Sequence, residues 1–326
     1  MRQSNLELCR IASIVLILLL HSDFAVFGTP EKLSDTSLLL LVLESFAVVG
    51  VNVFVLLTGY FSATPKKGSL INLLYICFFY GTIKIIFHVI SGPPLTISKL
   101  LFVSNSNWFV PAYLGLLLFT PALNSMCEKL TQKQLLGGVL LMLGYEIYMG
   151  LYPAIWANVA GFNLGYSVMS FMVLYVIARY ISLYGIHRYI EKYSFTLYIV
   201  SSLLLAGVSY STLAMNIDKM KFMFAYANPL IIFSSVCFFI TFEKIEIGVN
   251  KVINYVAKSV LAVLIVHTSA EVFPFIKSQY LYLYSHYSGF GLIAFWILSI
   301  VVTFVFSLLL DQLRILSYNQ ILKLKK

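Results

Sequence analysis

Charge is scarce in this chain. Asp, Glu, Lys and Arg make up 11% of its 326 residues, where soluble domains carry about 25%. That scarcity excludes an ordinary soluble domain. The net charge of +9 is spread over short loops, with no basic domain to carry it, which excludes a nucleic-acid-binding protein. Cysteine is sparse too. Cys9, Cys77, Cys127 and Cys237 lie in or beside apolar runs without paired spacing, so they read as packing residues and not as a disulfide scaffold. Strict period-two alternation is missing, which excludes a membrane β-barrel. The five histidines are scattered, with no His-x-x-x-His pair or Cys cluster, which argues against a metal site. No internal repeat, low-complexity tract, long linker or Asn-x-Ser/Thr sequon is found.

Apolar residues are what the chain has in excess, at 60% against a usual 45–50% or so. A bilayer core of about 30 Å takes about 20 helical residues to cross. Apolar runs lie near 8–27, 38–59, 70–90, 109–126, 134–152, 162–181, 195–214, 226–242, 258–276 and 288–310. They predict an all-α integral membrane protein, a single bundle of about ten transmembrane helices. The whole of 1–326 reads as one polytopic membrane domain with no appended soluble domain. The runs at 109–126 and 226–242 are short enough to be tilted or partly re-entrant. Thr29-Pro30, Thr64-Pro65, Gly92-Pro93-Pro94 and Asn228-Pro229 punctuate the breaks. The first run holds Arg10 and His21 and lacks a clean cleavage site, so it reads as a retained span. With both termini in the cytoplasm, fifteen of the 22 Lys and Arg residues fall on the inner side and five on the outer, while Arg10 and Lys84 lie within spans. This bias is the expected topology signal.

Ionisable groups within spans are costly in lipid and point to function. Arg10, His21, Glu44, Lys84, His88, Glu146, His267 and Glu271 are such groups, with Asp23 near an outer end. At about 1.5 Å per residue, His21, Glu44, Lys84, Glu146 and Glu271 all fall roughly 18–22 Å from the inner edge, and His267 at about 14 Å. Convergence at one depth from five spans predicts a polar cavity opening outward. Structural ion pairs such as Glu44–Lys84 are the plainer alternative. Arg10 and His21 are eleven residues apart, or three helical turns plus about 20°. They share a face, about 16 Å apart along the axis. His267 and Glu271 are four apart and share a face on one continuous helix, where the carboxylate would fix the imidazole tautomer.

At these residues the sequence resembles the acyltransferase-3 family, multispanning O-acyltransferases that decorate bacterial surface polysaccharides. Asn5-Leu6-Glu7-Leu8-Cys9-Arg10 through Leu20-His21-Ser22 is similar to the family's first span, and Gly50-Val51-Asn52-Val53-Phe54 through Thr58-Gly59-Tyr60-Phe61 to its second. Thr58 replaces the usual Ser, and Lys66 and Lys67 stand where arginines are usual. Asn107-Trp108-Phe109 through Tyr113, Pro121-Ala122-Leu123-Asn124, and Val263-Leu264-Ile265-Val266-His267 continue the likeness in order.

The resemblance implies a membrane O-acyltransferase, most simply an O-acetyltransferase, in the bacterial cytoplasmic (inner) membrane. Acetyl-CoA or another acyl-CoA would be the donor, as a co-substrate and not a tightly bound cofactor. The acceptor would be a hydroxyl of an extracytoplasmic glycan or lipid-linked saccharide. Arg10, Lys66 and Lys67 would hold the CoA phosphates, the lysines as point charges. His21 would be the general base, with Glu44 or Asp23 orienting it, and His267 with Glu271 a second acid–base pair. Lys84, Trp108 and Asp23 would meet the substrate, although Trp108 also suits the interfacial aromatic belt. The partners expected are the acyl-CoA, the glycan and membrane lipid, with no nucleic acid and no metal. The competing reading is a transporter or flippase for a polar or lipid-linked substrate. That class usually shows repeated halves and broken helices in matching positions, and the sequence shows neither.

Overall fold

The structure is a computed structural model that describes residues 3–91, 107–151 and 161–324. The Gly92-Pro93-Pro94 break, Lys99 and the end of the 134–152 run lie outside the described residues. Among the described residues every regular element is helical and no strand occurs. In chain order the α-helices are α1 (Ser4–Leu20), α2 (Phe24–Phe27), α3 (Leu38–Ala47), α4 (Val49–Tyr60) and α5 (Lys67–Ser91). Next come α6 (Phe109–Lys129), α7 (Gln132–Leu151), α8 (Val168–Tyr184), α9 (Arg188–Ala214), α10 (Met220–Met223) and α11 (Pro229–Glu243). The last are α12 (Lys251–Val256), α13 (Val260–His267), α14 (Phe273–His286) and α15 (Gly289–Leu324).

Among the described residues, seven segments are long and apolar enough to cross a membrane: Ser4–Phe27, Leu38–Tyr60, Lys67–Ile90, Phe109–Lys129, Gln132–Leu151, Arg188–Ala214 and Gly289–Lys323. They match seven of the apolar runs. The runs at 162–181 and 226–242 correspond to the shorter apolar helices α8 and α11. The run at 258–276 is not one helix. It breaks after α13, which is eight residues long. The break has local causes. Thr268 turns its hydroxyl back to the Leu264 carbonyl at 2.7 Å, and the Ser269 hydroxyl accepts from the Val272 N–H at 3.2 Å. Pro274 then suits only the first turn of a new helix, α14.

The chain forms two compact units, Met1–Thr64 with Ala112–Asn254, and Pro65–Pro111 with Tyr255–Lys326. In the first, α4 is the central helix, packed by α1, α3, α8 and α11. All of its residues from Val49 to Gly59 except Phe54 are buried. Two glycines allow that closeness. A Cβ on Gly50 would stand 2.8 Å from the Ser13 carbonyl oxygen of α1, and one on Gly59 would stand 2.5 Å from the Tyr175 carbonyl oxygen of α8. Small residues at such crossings let membrane helices pack by van der Waals contact. The helix ends follow side-chain chemistry. Ser37, Ser167 and Asn228 accept from backbone N–H groups at the starts of α3, α8 and α11. The Asn5 amide donates to the Phe242 and Glu243 carbonyls at the end of α11.

In the second unit α13 packs against α5 and α15, and α14 against α15. A buried ion pair within α15 is the anchor to which α5 bonds. Arg314 donates to Asp311 through Nε at 2.6 Å and Nη2 at 2.8 Å, while the Tyr80 hydroxyl donates to Asp311 Oδ1 at 2.9 Å. Arg314 also reaches Asn72 Oδ1 at 3.3 Å, and the Tyr75 hydroxyl donates to Ser317.

Candidate functional site

In the first unit α1 runs unbroken from Arg10 to His21, because His21, as its C-cap, keeps right-handed helical angles. The shared face read from the sequence is therefore present. Arg10 Nη1 donates to both Glu7 carboxylate oxygens, at 3.0 and 3.1 Å, and its guanidinium lies 5.6 Å from the centre of the Phe61 ring. Glu7 is buried, while Arg10 keeps 29% of its side chain exposed. A fixed and partly exposed guanidinium is well prepared for an anion. Glu7 stands three residues before Arg10 in the first-span motif. Its signal was the i, i+3 spacing to Arg10.

The turn after α4 is clasped by two other helices. Thr58 Oγ1 and the Tyr113 hydroxyl are 3.2 Å apart. Asn124 Nδ2 donates to the Ser62 and Ala63 carbonyls, at 3.3 and 3.4 Å. The Tyr175 hydroxyl sits 2.7 Å from Asn124 Oδ1 and 3.2 Å from the Ala63 carbonyl oxygen. Ser62 has a φ of 45°, an unusual angle for a non-glycine residue, and these bonds fix it. The motif pieces around Thr58, Tyr113 and Asn124 thus meet at one turn, although they are far apart in sequence. Tyr175 joins them without having been flagged.

At the His21 end of α1 lies a polar cluster. His21 is half-buried. Asp23 is buried and neither of its carboxylate oxygens has a hydrogen-bond partner. The bond from Asp23 that would orient His21 is therefore not made. Glu44 accepts from the Phe24 backbone N–H and has Asp23 as its charged neighbour. Tyr166 and Tyr226, hydrogen-bonded to each other, adjoin Glu44. Asn52 donates to the Tyr226 carbonyl at 3.1 Å. Glu146, buried on α7, bonds to Ser170 of α8. Glu44 and Asp23 come together here. Tyr166 and Tyr226 could not be foreseen, because nothing in their sequence surroundings separates them from the other 20 tyrosines.

The second unit holds the other candidates. Lys66 and Lys67 are exposed where α5 begins. Lys84, half-buried on α5, has Glu271 as its charged neighbour. It lines a cavity of about 20 Å³ with Cys77, Tyr80, Gly81, Asn107, Val110 and Ile265, room for about one water. Asn107 donates to Thr268 Oγ1 at 2.8 Å, and its Oδ1 accepts from the Phe109 N–H. Trp108 is half-buried, edge-on to Phe109.

The expected helix carrying both His267 and Glu271 is corrected here. The helix ends at His267, and Nδ1 lies 2.6 Å from the Val263 carbonyl oxygen. A carbonyl only accepts, so Nδ1 carries a hydrogen. Glu271 is therefore not the partner that sets the tautomer at Nδ1.

Among the described residues, no group of three or more His, Cys, Asp or Glu side chains is placed to hold a metal ion. A family model described as an acyltransferase domain matches residues 3–312. Comparison with curated proteins and with solved structures gave no match.

Proposed function

The chain belongs to the acyltransferase-3 family of membrane acyltransferases, and from that premise we propose that it moves an acyl group, most simply acetyl, from cytoplasmic acyl-CoA to a hydroxyl of an extracytoplasmic or lipid-linked glycan. Its seat is the bacterial cytoplasmic membrane, with both termini inside. The observation that carries this reading is α1, one uninterrupted helix with a fixed guanidinium at Arg10 and an imidazole at His21 on the same face. A long flexible donor with phosphates at one end and a thioester at the other suits that face.

Arg10, Lys66 and Lys67 hold the phosphates. His21 takes the proton of the acceptor hydroxyl as its oxygen attacks the thioester carbonyl. A C–O bond forms and the C–S bond breaks. The proton passes to the departing thiolate, so the products are an ester and CoA thiol. Asp23 and Glu44 line the acceptor end beside His21. Lys84 and Trp108 meet substrate in the second unit, where His267 and Glu271 are the further acid–base groups. The chemistry requires no tightly bound cofactor.

The test is thiol release and ester formation by the purified chain in nanodiscs given acetyl-CoA and a glycan acceptor. His21→Ala should lower the rate at least about 10²-fold, the usual worth of a general base, with acyl-CoA binding retained. No turnover of acyl-CoA by the wild type would favour a transporter. A His21→Ala variant with more than about a tenth of the wild-type rate beside an inactive His267→Ala would move the base to His267.

A further inference from the structure

Two helix ends in the second unit are joined by a chain of three hydrogen bonds. The Phe109 N–H, at the start of α6, donates to Asn107 Oδ1 at 3.1 Å. Asn107 Nδ2 donates to Thr268 Oγ1 at 2.8 Å. The Thr268 hydroxyl in turn donates to the Leu264 carbonyl at 2.7 Å, in the last turn of α13. The order of donors is fixed throughout. A carbonyl only accepts, so the Thr268 hydroxyl donates there and accepts from Asn107, and the amide is engaged at both its oxygen and its nitrogen. Asn107 is 8% exposed and Phe109 5%, so water scarcely competes for these bonds and each is stronger for it.

The residues beside this link are the ones that carry chemistry. Trp108 follows Asn107 directly, with its ring edge-on to Phe109. His267 precedes Thr268 directly and is the last residue of α13. Glu271 lies three residues beyond Thr268, in the turn where the Ser269 hydroxyl accepts from the Val272 N–H. Lys84 lines the same cavity of about 20 Å³ as Asn107. Trp108, His267, Glu271 and Lys84 thus all adjoin one bond between residues 161 apart in sequence. The two partners in that bond bring no acid–base chemistry of their own. An amide does not titrate near neutral pH, and the Thr268 proton is committed to a carbonyl. What they supply is placement.

We propose that Asn107 and Thr268 are positioning residues, a link that holds Trp108, at the start of α6, and His267, at the end of α13, in one fixed frame around the substrate. This rests on the acyltransferase reading, in which Trp108 and Lys84 meet substrate and His267 is an acid–base group. Without the link the first turn of α6 loses a partner for one of its orphan N–H groups. The end of α13 then loses its polar tie to α6. A shift of roughly 1 Å in such a frame costs up to about 10²-fold in rate.

The experiment uses the full chain in lipid nanodiscs, with fluorotryptophan at its three tryptophans and fluorine NMR as the readout. Trp108→Phe assigns the Trp108 resonance. Trp296, buried against Tyr280 in the same unit, reports whether the unit is intact. Thr268→Val removes the hydroxyl at nearly constant volume, Asn107→Ala removes the amide, and Thr268→Ser keeps the hydroxyl. The Trp108 resonance should shift or broaden in the first two and stay in place in Thr268→Ser, with the Trp296 resonance unmoved in all three. Acyl transfer at saturating acetyl-CoA and acceptor should fall by about 10-fold to 10²-fold in Thr268→Val and Asn107→Ala. Acetyl-CoA affinity should be unchanged, because neither residue is among those that hold the phosphates. The double variant should cost little more than the worse single one, since both cut the same link. A Trp108 resonance that stays in place in Thr268→Val and Asn107→Ala overturns the proposal. So does a shifted resonance with transfer within about twofold of wild type, or a Thr268→Ser variant as slow as Thr268→Val. The two threonine variants test the link even if Asn107→Ala does not fold. The fluorine readout needs no turnover, so a wild type without acyl transfer sinks the proposed activity, while the resonance still decides whether the link places Trp108.

Discussion

Arg314→Met should be among the most damaging single changes in the second unit. The substitution keeps much of the side chain's volume and removes two charge-assisted bonds to Asp311, at 2.6 and 2.8 Å. Asp311 is left fully buried with only the Tyr80 hydroxyl donating to it, at 2.9 Å. Each lost bond to a charged group is worth about 1.5–3 kcal/mol, and breaking a buried pair from one side typically costs about 3–5 kcal/mol. A loss of about 4 kcal/mol is the expectation. The partner change, Asp311→Asn with Arg314→Met, keeps an acceptor for Tyr80 and removes the orphan charge. It should recover more than half of the loss, because the cost lies in the uncompensated carboxylate and not in the missing attraction. The assay is reversible denaturant unfolding in mixed micelles, read on Trp296, which is buried against Tyr280 in the same unit. The four corners of the double-mutant cycle give the coupling energy directly. A single-variant cost below about 1 kcal/mol, the level of an exposed pair, would refute the reasoning. So would a double variant that costs the sum of its parts.

Lys66→Ala with Lys67→Ala should weaken acyl-CoA binding while leaving thermal stability nearly unchanged, since both are exposed. Measured across salt, the difference from wild type should shrink as screening removes what the lysines supply. Gly59→Ala places a Cβ 2.5 Å from the Tyr175 carbonyl and 2.9 Å from Ala178 Cβ, so α4 and α8 must part, at a cost of about 1–3 kcal/mol for overpacking; a melting temperature equal to wild type would show that the crossing is looser than described. His267→Asn keeps a donor near Nδ1 for the Val263 carbonyl and should unfold within about 1 kcal/mol of wild type, whereas His267→Ala should cost about 1–3 kcal/mol. Equal melting of the two would mean that the Nδ1 bond contributes little.

Much of the first unit was legible because lipid makes a simple demand: each crossing needs a long apolar run, and Leu38–Tyr60 or Arg188–Ala214 is visible as one. The shared face of Arg10 and His21 followed from helical spacing alone. Hydropathy failed where a polar group is satisfied locally. It carried the ninth run through residues 268–272, because Thr268 and Ser269 scarcely lower a window average although their hydroxyls end the helix. It closed the last run at 310, just before the acidic Asp311, and assigned Arg314 to the inner side. Both belong to the interior of one 36-residue helix, α15. A window counts charges one at a time and cannot see that an acid and a base three apart neutralise each other. The cluster at Glu44 was half legible. Carboxylates are conspicuous in an apolar run, but Tyr166 and Tyr226 reach it through tertiary packing.

The Asn124–Tyr175 clasp makes the first lysine of the pair a tethered reagent. Ala63 is pinned by its carbonyl, and Lys66 follows three residues later, a leash of at most about 10 Å. Lys66 therefore never leaves the neighbourhood of the turn after α4. With the side chain's own reach added, confinement near the turn gives an effective concentration on the order of 0.1 molar, comparable with the monovalent salt it competes with. Asn124→Ala would leave every charge in the protein unchanged and still dilute this one.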